Sequence, residues 1–162
     1  MVHKRKGFTL AELLVVSIII GIMAAYAVPS YLKSVESGKA DGAAAMMQQV
    51  AAANRMFFID HQTYVTSGSL DTCSGATSCG TGTTPCDLVG CKYLASADFL
   101  HMPYDINAGC LYWGASDSAA CAKRRTGRYI NWGYSVDKNG NVACHGSGVP
   151  SPSGSSCSSA GS

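Results

Sequence analysis

Charged side chains are scarce in this chain of 162 residues, since Asp, Glu, Lys and Arg make up only 14% of it and the formal net charge is +2. So weak a positive bias does not indicate a nucleic-acid partner, because such partners select a strongly basic surface. The chain also has no G-x-S-x-G motif, and no Ser, His and acid stand in a recognisable catalytic pattern. We therefore expect no nucleic-acid partner and no enzymatic activity.

The cysteines lack the C-x-x-C spacing that is typical of zinc sites. Together with His61, His101 and His145 they offer zinc ligands as an alternative, but without that spacing we expect no metal and no cofactor. An even number of cysteines, confined to a small Gly/Ser/Thr-rich half of the chain, favours disulfides formed in an oxidising compartment. The disulfide candidates are Cys73, Cys79, Cys86, Cys91, Cys110, Cys121, Cys144 and Cys157.

The spacing of consecutive cysteines favours local bridges, one choice among many possible connectivities. The expected pairs are Cys73 with Cys79, Cys86 with Cys91, Cys110 with Cys121, and Cys144 with Cys157.

A long apolar run, FTLAELLVVSIIIGIMAAYAV, extends from Phe8 to Val28 and carries one charge, Glu12. As a helix rising about 1.5 Å per residue, it can cross a hydrocarbon core of roughly 30 Å. A secretory signal peptide would be shorter and end in a clear cleavage site, and a plain membrane anchor has no use for Glu12. A charge at the centre of a membrane helix costs about 2.5 to 3.5 kcal/mol, so Glu12 is a candidate functional residue that needs a partner.

The stretch KGFTLAELLVVSIIIGIMAAYAVPSYL resembles the N-terminus of type IV pilins and of the related pseudopilins of type II secretion. The shared features are a short basic leader ending in Gly7, then Phe8, then an acid four residues later, Glu12. The resemblance implies that a prepilin peptidase cuts between Gly7 and Phe8 and that Phe8 is N-methylated. It also implies that Glu12 pairs with the free amine of Phe8 on a neighbouring subunit in a filament. The expected pair of Cys144 with Cys157 resembles the C-terminal disulfide loop that is common in type IV pilins.

The physics of a low-dielectric helix bundle supports this role, because a buried carboxylate attracts a buried ammonium strongly and a wrong stagger leaves both unpaired. In lipid alone we expect Glu12 to have no partner, so that pairing would draw a subunit out of the bilayer into the filament.

The apolar run continues into an amphipathic segment that we expect to end near Ile59. Its apolar stripe is Leu32, Val35, Ala43, Met46, Val50, Ala53 and Phe57. Pro29 favours a kink, and the resemblance places Gly21 and Pro29 at the ends of a stretch that loses helicity in assembled filaments.

The cysteine-rich half shows strand signals late in the chain. Alternating residues from Ile130 to Val136, an Asn139-Gly140 turn and a further apolar stretch from Val142 predict a β-hairpin. Asp137 superficially resembles the start of a calcium loop, but a turn is the better interpretation because Gly148 stands where the last calcium ligand should be. The basic cluster Lys123, Arg124, Arg125 and Arg128 is interpreted as a solvated edge or a subunit contact.

These observations predict an α+β fold in which a long N-terminal spine helix, membrane-spanning in its first half, packs on a small antiparallel β-sheet with disulfide-stapled loops. We expect a cleaved leader (1–7), a membrane and filament-core helix (8–28), an amphipathic half-helix (29–59) and a cysteine-rich β domain (60–162).

The expected function is that of a structural subunit of a type IV pilus-like filament. Its expected partners are identical subunits, the prepilin peptidase, an inner-membrane assembly platform and, before assembly, the bacterial inner membrane. The mature filament would be an extracellular pilus. The alternatives are a major pseudopilin in a periplasmic pseudopilus and, from another class, a membrane-tethered, disulfide-rich binding domain or enzyme.

Overall fold

A single long helix forms the N-terminal part of the protein. A computed structural model describes residues 7–110, 112–113, 117–127, 129–152 and 158–159, and helix α1 spans Leu10–His61. The chain divides into two compact units, Met1–Gly38 and Lys39–Ser162, with the boundary inside α1. The helix ends two residues beyond the Ile59 expected from the sequence.

The second unit contains a six-stranded sheet whose strands follow one another in chain order. The strands are β1 (Gly68–Ser69), β2 (Tyr104–Ala108), β3 (Ser118–Arg124), β4 (Gly133–Asp137), β5 (Val142–His145) and β6 (Ser158–Ser159). Strands β1 to β5 pair with one another in antiparallel orientation, and β6 pairs in parallel with β5. The predicted α+β architecture, a long helix packed on a small antiparallel sheet, is confirmed.

The core of this unit lies between the second half of α1 and one face of the sheet. Alternation along the strands points Tyr104, Ala122 and Tyr134 to this inner face, where all three are fully buried. From α1, Val50 and Phe57 join the same apolar cluster. The predicted apolar stripe is correct at Ala43, Val50, Ala53 and Phe57.

The stripe is wrong at Leu32, which is exposed. Met46 is partly buried against the core, and its neighbour Met47 is fully buried. Asn54 is also buried, which the apolar pattern could not indicate. Its amide donates to the carbonyl of Ala119 in β3 (3.0 Å) and accepts the backbone N–H of Val65 (2.9 Å), so it ties the helix to the sheet and to the following loop.

The predicted hairpin is confirmed as β4 and β5, with Val136 opposite Val142. The strand begins at Gly133, later than the alternation from Ile130 indicated. Asp137 organises the turn, because its Oδ1 accepts the backbone N–H groups of Asn139 and Asn141 at 2.8 Å each. These bonds, with the Asn141 side chain contributing most, lower the pKa of Asp137.

The cysteine-rich loop is stapled by interleaved disulfides. Cys73 bonds to Cys86 and Cys79 bonds to Cys91, so the expected local pairs in this loop were wrong. The chain folds back so closely that a Cβ on Gly90 would lie 1.9 Å from the carbonyl oxygen of Ser78. This approach brings Cys91 beside Cys79, and sequence spacing alone does not reveal it.

The same loop is ordered by more than disulfides. It contains a four-residue helix, α2 (Asp87–Gly90), for which no periodic pattern is present in the sequence. The buried carboxylate of Asp87 accepts the N–H groups of Gly82 (2.9 Å) and Thr84 (3.2 Å), while Leu88 is buried in the core. A buried acid satisfied in this way and an apolar anchor fix the loop from within.

The remaining cysteines differ in whether they are bonded in a disulfide. Cys110 and Cys121 lie in side-chain hydrogen-bond contact as thiols, and the expected bond between them is not formed in this structure. Cys144 takes part in a disulfide. Its expected partner, Cys157, lies outside the described residues.

Candidate functional site

The expected cleavage point lies in non-helical backbone just before α1. Residues 7–9 precede the first helical residue, Leu10, and both Gly7 and Phe8 are exposed. A Cβ added to Gly7 would meet nothing within 4 Å, so the fold of the chain itself does not require glycine there. The Gly7 to Phe8 peptide bond therefore lies outside the helix, and no described residue crowds Gly7.

Glu12 has partners within its own chain, and the expectation that it lacks one in a lone subunit was wrong. Its Oε2 accepts both the backbone N–H and the hydroxyl of Thr9 at 2.8 Å, and the Thr9 hydroxyl oxygen accepts the N–H of Glu12 at 3.3 Å. This reciprocal pattern is a capping box, which satisfies donors that a helix N-terminus leaves unpaired. The T-x-x-E signal stands in the sequence as Thr9 and Glu12, and reading Glu12 only as a membrane charge missed it.

The first half of α1 presents a long apolar surface, interrupted by Glu12 and Ser17. Phe8 and the large apolar side chains of α1 as far as Leu32 are all exposed, and α1 is long and apolar enough to cross a membrane. Such an extended apolar surface is unstable in water and marks a membrane or protein contact. Gly21 and Pro29 lie within α1, which is continuous through both. The predicted loss of helicity between them concerns an assembled filament and stays a prediction.

Two residues of the basic cluster, Arg124 and Arg125, contact loops of the chain itself. Arg124 Nη1 donates to the carbonyl of Pro103 at 2.7 Å. Arg125 forms a two-pronged ion pair with Asp71 and also donates to the carbonyl of Met102 at 3.1 Å. This hydrogen-bonded pair lowers the pKa of Asp71 and raises that of Arg125. The side chains thus brace a loop, and Arg128 lies outside the described residues.

One set of described side chains has the spacing of a metal site, namely His61, Cys79 and Cys91, whose ligand atoms lie within 4.8 Å of one another. Cys79 and Cys91 are joined in a disulfide, however, and a disulfide supplies no thiolate ligand. Oxidised in this way, the set does not have the donors that a structural metal site needs.

A serine and a histidine on neighbouring strands form a hydrogen-bonded pair that the sequence did not reveal. Ser135 Oγ lies 2.8 Å from His145 Nε2, and both residues are buried. The Trp113 ring stacks on the His145 ring with centroids 4.3 Å apart. Burial lowers the pKa of His145 and keeps the ring neutral near pH 7. The Trp113 ring thus covers one face of the His145 ring.

Comparison with known proteins bears on the N-terminal segment. Residues 2–28 match the family model described as the prokaryotic N-terminal methylation motif, which is the prepilin cleavage motif of type IV pilins and pseudopilins. The matched range contains Gly7, Phe8, Glu12 and the apolar run. No curated protein and no solved structure matches the chain.

Proposed function

We propose that this chain, which carries the methylation motif of type IV pilins and pseudopilins at residues 2–28, is a structural subunit of a type IV pilus-like filament. The motif is the observation that carries the proposal. The long apolar surface of α1 supports it, because a filament core buries this surface in the same way that a membrane does. Before assembly, the subunit is anchored in the inner membrane by the same helix.

Processing takes place between Gly7 and Phe8 by a prepilin peptidase, and the new terminus at Phe8 is methylated. The open, non-helical backbone at residues 7–9 supports this step. Removal of the leader also deletes Lys4, Arg5 and Lys6, whose charges could not be buried in a filament core, and it creates the amine that assembly needs.

Glu12 then pairs with the Phe8 amine of a neighbouring identical subunit. The Thr9 contacts fall on Oε2 alone, so the cap does not use the second carboxylate oxygen, Oε1. A carboxylate can accept several hydrogen bonds at once, and Glu12 can therefore keep its own helix capped while Oε1 receives an ammonium. Assembly is favourable because the ammonium neutralises the Glu12 carboxylate, whose charge the hydrogen bonds from Thr9 compensate only in part.

The extracellular pilus is preferred to a periplasmic pseudopilus. Cys144 is in a disulfide, which fits the C-terminal disulfide loop that the resemblance to pilins implies. The large stapled loop between β1 and β2 is a further insertion of the kind common among pilins. Assembly from the membrane requires an inner-membrane platform in either case.

The test separates the two roles of Glu12. Glu12→Gln keeps an oxygen that can cap the helix but removes the charge, whereas Thr9→Ala removes one side of the cap and keeps the charge. Breaking a buried ion pair costs about 3 to 5 kcal/mol, so Glu12→Gln should lower the yield of sheared filaments at least about a hundredfold. Thr9→Ala should assemble at close to the normal yield.

Immunoblots for cleavage provide the control, since all variants should still be cut after Gly7. Normal filament yield from Glu12→Gln would show that Glu12 serves only as a cap and would overturn the proposed pairing. A Thr9→Ala variant that fails as completely as Glu12→Gln would contradict it as well.

A further inference from the structure

Two thiols meet where a short segment crosses the outer face of the sheet, the face turned away from α1. Gly109 follows β2 with φ +68°, and its N–H donates to the Ala119 carbonyl of β3 at 2.9 Å. A Cβ on Gly109 would lie 2.2 Å from Ser67 Oγ, so the turn needs glycine. The turn delivers Cys110 to Cys121, and the two side chains are in hydrogen-bond contact.

The two sulfurs differ in access. Cys121 lies on the outer face of β3, between Asn107 of β2 and Ser135 of β4, and it is fully buried. Cys110 is half-buried, and its Sγ donates to the carbonyl of Tyr112 at 3.2 Å. A reagent from solution therefore reaches Cys110 and not Cys121.

The contact with Cys121 also favours the thiolate form of Cys110. The hydrogen bond from Cys121 lowers the pKa of Cys110, in opposition to burial, which raises it. Since the thiolate is the nucleophile in disulfide exchange, the accessible sulfur is also the one prepared to attack.

We propose that Cys110 and Cys121 form a further disulfide outside the cytoplasm, and that Cys110 reacts first with an external disulfide oxidant while Cys121 resolves the mixed disulfide. The Cys110 thiolate attacks one sulfur of the oxidant's disulfide, and the other sulfur leaves as a thiolate. Cys121 then attacks the Cys110 sulfur, and the second thiolate of the oxidant leaves. The two protein thiols lose two electrons and two protons, and the oxidant's disulfide is reduced to two thiols.

The cross-link would latch the segment that carries Tyr112 and Trp113 onto the sheet. Tyr112 donates its hydroxyl proton to Asp105 Oδ2 at 2.8 Å, and Trp113 stacks on His145. These contacts cover part of the outer face. If they break, a covalent bond between Cys110 and Cys121 still keeps this segment close to the sheet. This disulfide lies within one chain, so its formation does not depend on filament assembly.

The first experiment maps the bond in the wild-type full-length chain, isolated in detergent without reductant and alkylated at once. Chymotrypsin cuts after Tyr112 and Trp113, so the peptides with Cys110 and Cys121 stay together only if a disulfide links them. We expect the linked pair without reductant and separate peptides after reduction. Alkylation of both Cys110 and Cys121 before reduction would overturn the proposal.

The second experiment tests the order of reaction with matched single variants and oxidised glutathione as the probe. Cys121→Ser leaves Cys110 as the attacking thiol and should accumulate a glutathione adduct. Cys110→Ser leaves Cys121 buried and should react at least about tenfold more slowly, because buried thiols are inert. In denaturant the two variants should react alike, which shows that native burial causes the difference. Equal rates for the two native variants would contradict the assigned order.

Discussion

Thr9 is the residue whose role is clearest from the structure and least evident from the resemblance. It closes the helix start by exchanging hydrogen bonds with Glu12. Substituting Ala for an N-cap Ser or Thr costs about 1 kcal/mol. We expect Thr9→Ala to fray the first turn of α1 and to raise the rate of amide hydrogen exchange there about fivefold in detergent micelles. Ser17→Ala is the control, because it removes a side-chain hydrogen bond within the helix and leaves the cap intact. Unchanged exchange at the first turn would contradict the capping role.

His145 makes the stability of the second unit depend on pH. Burial lowers its pKa in the folded state below the ordinary value of about 6.5, so the unfolded chain takes up this proton first as the pH falls. The contribution is fully present above about pH 6.5 and is lost as the pH falls from there through the folded pKa, with a slope of at most about 1.4 kcal/mol per pH unit.

The measurement is urea unfolding between pH 8 and pH 5 for the wild type and for His145→Gln. The wild type should lose stability below about pH 6.5, and the variant should be flatter over this range. The lowered pKa of Asp71 does not interfere, because that carboxyl changes protonation only at lower pH. A variant with the same slope as the wild type would show that another group is responsible.

Among the structural elements, α1 and the sheet are joined by the buried amide of Asn54. Asn54→Leu would leave the Val65 N–H without its acceptor, although the Ala119 carbonyl keeps the N–H of Gly109. An unsatisfied buried donor costs about 1 to 3 kcal/mol, and we expect a loss of this size in urea unfolding.

Asn54→Asp provides the matched comparison. Its carboxylate can accept from Val65 but brings a buried negative charge toward the Ala119 carbonyl oxygen. Compared with the wild type at the same pH, it should therefore be less stable at pH 7, and the difference should shrink at pH 5 when the carboxyl is protonated. If Asn54→Leu were as stable as the wild type, the helix and sheet would not be joined through this side chain.

The loops around the sheet are braced by Arg125. Its guanidinium pairs with Asp71 and donates to the carbonyls of Met102 and Phe99. We expect Arg125→Ala to cost about 2 to 3 kcal/mol in thermal or urea unfolding, because this largely buried pair and two carbonyls lose their donor. Arg125→Lys should recover only part, since an ammonium cannot make the two-pronged contact.

An exposed ion pair serves as the control for Arg125. Lys138 Nζ lies 2.7 Å from Asp117 Oδ1, and the Asp117 side chain is 77% exposed, so Lys138→Ala should cost less than about 1 kcal/mol. Equal losses for Arg125→Ala and Lys138→Ala would argue against a bracing role for Arg125.

Some of these elements could be predicted from the sequence and others could not. The hairpin around Asn139-Gly140 and the buried stripe at Val50 and Phe57 were predictable, because period and turn chemistry are local properties. The four-residue α2 was not, because it is held by the Asp87 side chain and buried apolar residues rather than by a periodic pattern.

At the scale of the whole molecule, the candidate assembly segment was predictable and the disulfide framework was not. Gly7, Phe8 and Glu12 stand in one contiguous motif, so their relationship is written in the sequence. The pairs Cys73 with Cys86 and Cys79 with Cys91 depend on how the loop folds back at Gly90, which is a tertiary property.

Assembly of the processed chain into a surface filament through α1 can be examined on the cell surface itself. The most direct test is electron microscopy of sheared surface material, combined with mass spectrometry of the purified fibres. We expect fibres whose subunit begins at a methylated Phe8. A chain that keeps Met1, stays in the envelope and forms no fibre at native expression would contradict it.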